Sequence, residues 1–158
     1  MEKVCSILFL TVFALGGHAQ LSQFSLDLGR DENGPPALFN QAALSYARSF
    51  TRNERHLIEA GLVFIRDGIS LRNQLYGLYR FRLDQSEKWD VSLGLGVRSN
   101  HRDLSDYPAF ITAAATLRYN LTEFTSLRLR TMGLMGETLF IRPSLGVSFR
   151  WPKDTKEE

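Results

Sequence analysis

The chain has 158 residues, 44% of them hydrophobic and 23% charged, with a formal net charge of +2 and a single cysteine. That length is one domain by default, and so small and evenly spread a charge excludes an electrostatic case for a nucleic-acid partner. Mean hydropathy lies slightly below zero, and no apolar run approaches about 18 residues, which excludes a helical membrane protein. A membrane β-barrel stays open, because alternating strands average to soluble-looking values.

Residues 1–19 read as a secretory signal peptide. Lys3 and the amino terminus supply the positive end, Val4 to Leu15 the apolar core, and Gly17 and Ala19 the small residues ahead of a cut before Gln20. An uncleaved anchor fits less well, since the apolar stretch is too short to span comfortably. Cys5 lies in the removed segment, so the mature chain has no thiol. An exported domain without disulfides must be held by its core or by a closed sheet.

From Gln20 onward the dominant period is two, and it predicts eight strands, taken here in chain order. Over 21–28, Phe24, Leu26 and Leu28 alternate with Ser25 and Asp27. Over 41–50 the pattern is mixed. Phe39, Ala43, Tyr46 and Phe50 recur at helical spacing, whereas Leu44, Tyr46 and Phe50 also fit a strand with Ala43, Ser45, Ala47 and Ser49 on its small face. The strand is preferred because the ladder on either side needs it. Over 56–66, Ile58, Ala60, Leu62 and Phe64 oppose Glu59 and Gly61. Over 69–83, Leu75, Gly77, Tyr79, Phe81 and Leu83 oppose Arg80 and Arg82, while Tyr76 and Leu78 blur the polar face.

The fifth strand, 89–99, is the cleanest: Trp89, Val91, Leu93, Leu95 and Val97 against Asp90, Ser92, Gly94, Gly96 and Arg98. Over 108–120, Ile111, Ala113, Ala115, Leu117 and Tyr119 oppose Thr112, Ala114, Thr116, Arg118 and Asn120. Over 124–134, Leu127 and Leu129 oppose Ser126, Arg128 and Arg130. Over 138–151, Leu145, Val147, Phe149 and Trp151 alternate with Ser144, Gly146, Ser148 and Arg150. Successive strand side chains point to opposite faces, so each strand has one apolar side and one polar or tiny side. Several strands reach about ten residues, longer than soluble sheets usually need and suited to a tilted membrane span.

The connections after the second, fourth and sixth strands are short polar turns, at 51–55, at 84–88 and around Thr122. The others include two long polar loops, 29–40 and 99–108, and two short ones around Asp67-Gly68 and 135–137. Alternating long and short connections suit an up-and-down barrel with one rim toward the periplasm and one toward the outside. The aromatics Tyr46, Phe50, Tyr79, Phe81, Trp89, Tyr119 and Phe124, with Phe149 and Trp151, fall beside the short turns or the C-terminus. In a meander those places share one rim, as an interface girdle would. Phe64, Tyr107 and Phe140 are candidates for a sparser ring at the other rim.

These residues resemble the small eight-stranded outer-membrane β-barrels of Gram-negative bacteria, the class of the OmpA membrane domain, OmpX and OmpW. The resemblance implies an all-β fold, an eight-stranded antiparallel up-and-down transmembrane β-barrel over residues 20–151, with 152–158 as a polar C-terminal tail. Ser144, Gly146, Phe149 and Trp151 match the terminal β-signal that the outer-membrane assembly machinery reads in that family. The tail from Pro152 to Glu158 departs from it, since family members often stop at the aromatic. Tyr119-Asn120-Leu121-Thr122 is similar to a periplasmic turn of such proteins.

With the apolar face toward lipid, the polar face points inward and carries Asp27, Glu59 and Asp90 against Arg80, Arg82, Arg98, Arg118, Arg128, Arg130 and Arg150. Eight strands leave room for little more than side chains. A plug of ion pairs is therefore expected over an anion path or an anionic ligand site.

Catalysis has one grouping on paper, Ser99, Asn100, His101, Asp103 and Asp106 in one long loop. Lipid A deacylase barrels carry His-x-Ser-Asn, and the order Ser99-Asn100-His101 does not match it. No catalytic residue, cofactor or metal is assigned. His56 reads as a turn residue, and two mature histidines give a metal site no support.

The expected role is structural or surface-interacting, in the outer membrane of a Gram-negative bacterium. The partners are outer-membrane lipid and, during biogenesis, the assembly machinery; the sequence names no external ligand. The alternatives are a secreted lipocalin-like carrier of a small apolar ligand, which needs apolar residues inside, and a lipid-modifying barrel enzyme.

Overall fold

A computed structural model describes residues 21–30, 38–51, 53–67, 70–99, 109–135 and 139–152. The expected signal peptide at 1–19 and residues 153–158 of the expected tail at 152–158 lie outside the described residues, as does most of both long loops, while Pro152 ends the last strand. The described chain forms eight strands: β1 Leu21–Gly29, β2 Gln41–Ser49, β3 His56–Asp67, β4 Ser70–Gln85, β5 Trp89–Ser99, β6 Ala109–Asn120, β7 Thr125–Met135 and β8 Leu139–Pro152. Each strand pairs with its sequence neighbour, and β8 returns to β1, closing the barrel. The closing ladder is antiparallel and runs from Leu21 opposite Pro152 to Gly29 opposite Ser144. Closure removes both free edges, which an open sheet would expose to pairing with other chains.

Segment 41–49 is a strand. Its helical spacing is a local property, whereas its ladder partners are not: Tyr46 stands opposite Phe24 on one side and Ala60 on the other. A helix there would leave the edges of β1 and β3 unpaired, and Ala43, Ser45, Ala47 and Ser49 all point inward and are buried.

The even-numbered turns share one rim with both chain ends. Thr51 accepts from the Glu54 amide at 3.0 Å, and its hydroxyl accepts from the His56 amide at 3.3 Å. In the β4–β5 turn the Ser86 amide donates to the Trp89 carbonyl at 2.8 Å, and the Ser86 hydroxyl accepts from the Trp89 amide at 2.9 Å. The Thr122 hydroxyl accepts from the Phe124 and Thr125 amides at 3.2 and 3.0 Å. Short hydroxyl side chains that satisfy turn amides in this way explain why Ser and Thr recur there. One irregularity interrupts the ladders: the register between β4 and β5 shifts between Arg82 and Asp84, a bulge that leaves Leu83 as the extra residue.

Burial follows parity. In β1 every odd residue from Leu21 to Gly29 is buried and Phe24, Leu26 and Leu28 are exposed. In β5 Leu93, Leu95 and Val97 are exposed while Asp90, Ser92 and Arg98 are buried. The interior is therefore mostly polar. A small apolar cluster of Ala43, Val63, Ile65, Tyr76, Leu78, Ala114 and Met132 sits toward the odd-numbered rim, and Leu21, Ala47 and Leu57 sit near the other.

Candidate functional site

The inward faces of all eight strands converge on one axis, and the buried charges there sort into tiers. The central tier is built on Glu59 of β3. Its Oε2 takes Arg80 Nη1 at 2.7 Å, and its Oε1 takes Arg130 Nη1 at 2.7 Å and Arg128 Nη2 at 3.0 Å. Tyr76 donates its hydroxyl to the same Oε1 at 2.8 Å and accepts from Arg130 Nη1 at 2.8 Å. The Arg130 guanidinium also lies 5.0 Å from the centroid of the Tyr76 ring, within cation–π range. Arg80 and Arg128 reach on to the hydroxyls of Ser92 and Ser45, at 2.6 and 3.2 Å. Asp27 completes the tier as a second carboxylate, 3.5 Å from Arg128 and 3.9 Å from Arg130.

Two glycines make room for this tier. A Cβ on Gly61 would stand 2.5 Å from the Tyr76 ring, so the ring takes the space that a side chain there would need. A Cβ on Gly146 would collide with the Asp27 carboxylate and the Leu26 carbonyl.

A lower tier, nearer the even-numbered turns, is built on Asp90 of β5. Its Oδ2 lies 2.5 Å from Arg118 Nη2, 3.0 Å from Arg82 Nε and 3.8 Å from Arg150 Nη2. Arg118 also donates to Gln23, and Arg82 Nη1 meets the Glu54 carboxylate at 3.2 Å. Toward the odd-numbered rim Arg98 donates to Gln74 at 2.7 Å and reaches the Met132 sulfur at 3.4 Å. Among the described residues seven arginines are buried, Arg80, Arg82, Arg98, Arg118, Arg128, Arg130 and Arg142, against three carboxylates, Asp27, Glu59 and Asp90. Buried charges persist where they are paired and hydrogen-bonded.

The structure thus gathers Asp27, Glu59, Arg80, Arg128 and Arg130 into one network and Arg82, Asp90, Arg118 and Arg150 into a second, with Arg98 apart from both. Tyr76, Gln23, Gln74 and Arg142 share the same inward parity, a signal already present in the alternation although the charged residues alone drew attention to it. Glu54 had no such signal, because parity ends where a turn begins.

The outward face carries the aromatics. Trp89 packs against Tyr119 across β5 and β6 with centroids 4.7 Å apart and ring planes tilted by 55°, and Phe81 lies 5.1 Å from His56. Phe50 lies 5.9 Å from His56, whose Nδ1 is 2.6 Å from the Tyr79 hydroxyl. Tyr46 faces outward in the same region and shares a hydrogen bond of 3.1 Å with Ser22, and Phe124 is exposed at the β6–β7 turn. Of the candidates for the opposite rim, Phe64 points outward from β3, whereas Tyr107 and the Phe140 side chain lie outside the described residues. On β8, Ser144 and Gly146 face inward and Phe149 and Trp151 outward, on the strand that closes against β1. Ser99, expected in the loop after β5, is instead the last residue of that strand, paired with Ala109, and its hydroxyl accepts from the Leu75 amide at 2.9 Å. Asn100, His101, Asp103 and Asp106 lie outside the described residues.

No family model matches the chain, and no curated protein matches it in sequence. Its fold has counterparts among solved structures. The N-terminal β-barrel domain of Pseudomonas aeruginosa OprF is similar at a TM-score of 0.66 and 14% identity, over 85% of this chain and all of that domain. The de novo designed protein TMB2.3 is similar at a TM-score of 0.60 and 14% identity, over 87% of this chain and 98% of that one. The Yersinia pestis outer membrane protein Ail, in a phospholipid bilayer nanodisc, is similar at 0.58 and 11% identity, over 84% of this chain and 99% of Ail. The fold is that of the small eight-stranded outer-membrane β-barrels, all antiparallel and closed in sequence order.

Proposed function

We propose that the chain is an exported outer-membrane protein of a Gram-negative bacterium, with a signal peptide at 1–19, a membrane barrel over 20–151 and a polar tail at 152–158. One observation carries this reading: burial is inverted relative to a soluble protein. Leu95 is 59% exposed, Ile111 56% and Leu145 54%, while Arg80, Arg118 and Arg128 are at most 1% exposed. An exterior of that kind needs lipid around it, and a soluble carrier of apolar ligands would need the opposite arrangement.

The interior of an eight-stranded barrel is just wide enough for side chains to fill. The two charged tiers stand across it here, which supports a closed scaffold with a structural or surface-interaction role over a pore or an enzyme. The aromatic rim from Tyr46 to Phe124 would sit at one lipid interface, and the connections 29–40 and 99–108 would face outward. Ser144, Gly146, Phe149 and Trp151 would be read by the assembly machinery, a role supported by their place on the strand that completes the barrel.

The test is gel mobility in detergent, boiled against unboiled, of protein recovered from outer-membrane fractions. A shift on heating is expected of a closed, detergent-resistant barrel. Protein that stays in solution without detergent and shows no shift would overturn the reading.

A further inference from the structure

At the even-numbered rim the barrel opens into a mouth of about 780 Å³, lined among others by Glu54, Lys88, Asn120 and Arg150. Glu54 and Arg150 of its lining belong also to the lower tier, whose other members, Arg82, Arg118 and Asp90, are buried and linked to these two by ion pairs. There three guanidiniums, of Arg82, Arg118 and Arg150, meet two carboxylates, of Asp90 and Glu54. Four of their donor atoms, Arg82 Nε and Nη2, Arg118 Nε and Arg150 Nη2, are buried without a hydrogen bond, Arg82 Nε keeping its ion pair to Asp90 at 3.0 Å, and Asp90 Oδ1 is the one acceptor of the group left in the same state. A buried guanidinium nitrogen without an acceptor is costly, and an oxyanion is the acceptor whose geometry suits it best.

Glu54 differs from the other members of this group. It is the one non-glycine residue with positive φ among the described residues, at 53°, and it sits in the β2–β3 turn with its side chain 23% exposed. Backbone of that kind is disfavoured for a residue with a side chain and persists only where surrounding contacts hold it. The Thr51 carbonyl holds the Glu54 amide at 3.0 Å and Arg82 holds its carboxylate at 3.2 Å, so that carboxylate occupies a place at the mouth where an anion would meet Arg82.

We propose that the lower tier, reached from this mouth, is a binding site for a small oxyanion of the phosphate or sulfate class, held by Arg82, Arg118 and Arg150 and taken up in exchange for the Glu54 carboxylate. Asp90 is the fixed counter-ion that keeps the three guanidiniums converged, with Arg118 Nη2 at 2.5 Å. Glu54 is the displaceable one. With its carboxylate swung out to solvent, the tier holds three positive groups and one negative, and the incoming anion restores the balance. Glu87 and Glu123, also at the mouth, oppose the approach of an anion, so uptake depends on ionic strength.

The experiment is a titration of inorganic phosphate against the folded full chain in octyl glucoside, followed by phosphorus NMR line width. Saturable broadening is expected in the wild type, several-fold tighter in Glu54→Gln and at least about tenfold weaker in Arg150→Gln, since a charge-assisted contact is lost. Both substitutions lie at the mouth, where partial exposure protects the fold, and the unboiled gel band verifies closure for each. Absence of saturable broadening in both the wild type and Glu54→Gln would overturn the proposal. So would broadening that Arg150→Gln leaves unchanged.

Discussion

Glu59 accepts from Arg80, Arg128, Arg130 and Tyr76 at once, with its side chain fully buried. Glu59→Gln keeps the shape and removes the charge, leaving three guanidiniums facing one another. Breaking a buried pair from one side typically costs about 3–5 kcal/mol. The expected outcome is a loss of that size in urea unfolding followed by tryptophan fluorescence, and an unchanged midpoint would mean that the tier does not stabilise the barrel. Tyr76→Phe is the milder companion: the ring stays beside Arg130 and across Gly61, but the hydroxyl linking Arg130 to Glu59 is lost. A cost of about 1–2 kcal/mol is expected by the same measurement. Tyr76 was legible in the alternation, since it shares parity with Arg80 and Arg82. It looked out of place because a tyrosine body is apolar while its tip is polar. Glu54 was not legible, because its reach to Arg82 depends on turn backbone that no alternation encodes.

Strands carry the most legible part of the sequence, since a period of two fixes which side chains share a face and a one-residue slip would turn all of them over. The Leu93, Leu95 and Val97 face of β5 follows from it directly, and Leu95→Arg tests it. On a lipid face an arginine costs about 2–4 kcal/mol near the midplane. That variant is expected to lose this much stability in refolding into vesicles, whereas a cost near zero would place the face in water. The turns respond to different chemistry. Thr122→Ala removes the acceptor of two backbone amides and is expected to cost about 1 kcal/mol in the same assay. The β2 segment shows where local reading stops. Phe39, Ala43, Tyr46 and Phe50 satisfy a helical spacing, and only the neighbouring edges of β1 and β3 decide for a strand. The bulge at Leu83 is the converse case. Phe81 and Leu83 continue the apolar alternation across it, so the pattern holds no mark of the extra residue.

Closure of the whole barrel turns eight half-polar strands into one shared interior, and the side chains across that interior bear on whether the molecule conducts. The central tier spans the lumen from Asp27 on β1 through Glu59 on β3 and Arg80 on β4 to Arg128 and Arg130 on β7. Strands on opposite sides of the barrel are therefore joined through its axis, and an ion crossing the lumen would have to part these pairs. Replacing Asp27, Glu59, Arg80, Arg128 and Arg130 together by serine removes the obstruction without stranding a lone carboxylate. Planar-bilayer recordings are expected to show discrete conductance steps for that variant and none for the wild type, with the heat-dependent gel shift establishing that both are closed barrels. Equal conductance in the two proteins would mean that the central tier is not the barrier. A silent emptied variant would place the block elsewhere, with the lower tier of Arg82, Asp90, Arg118 and Arg150 as the next obstruction along the same axis.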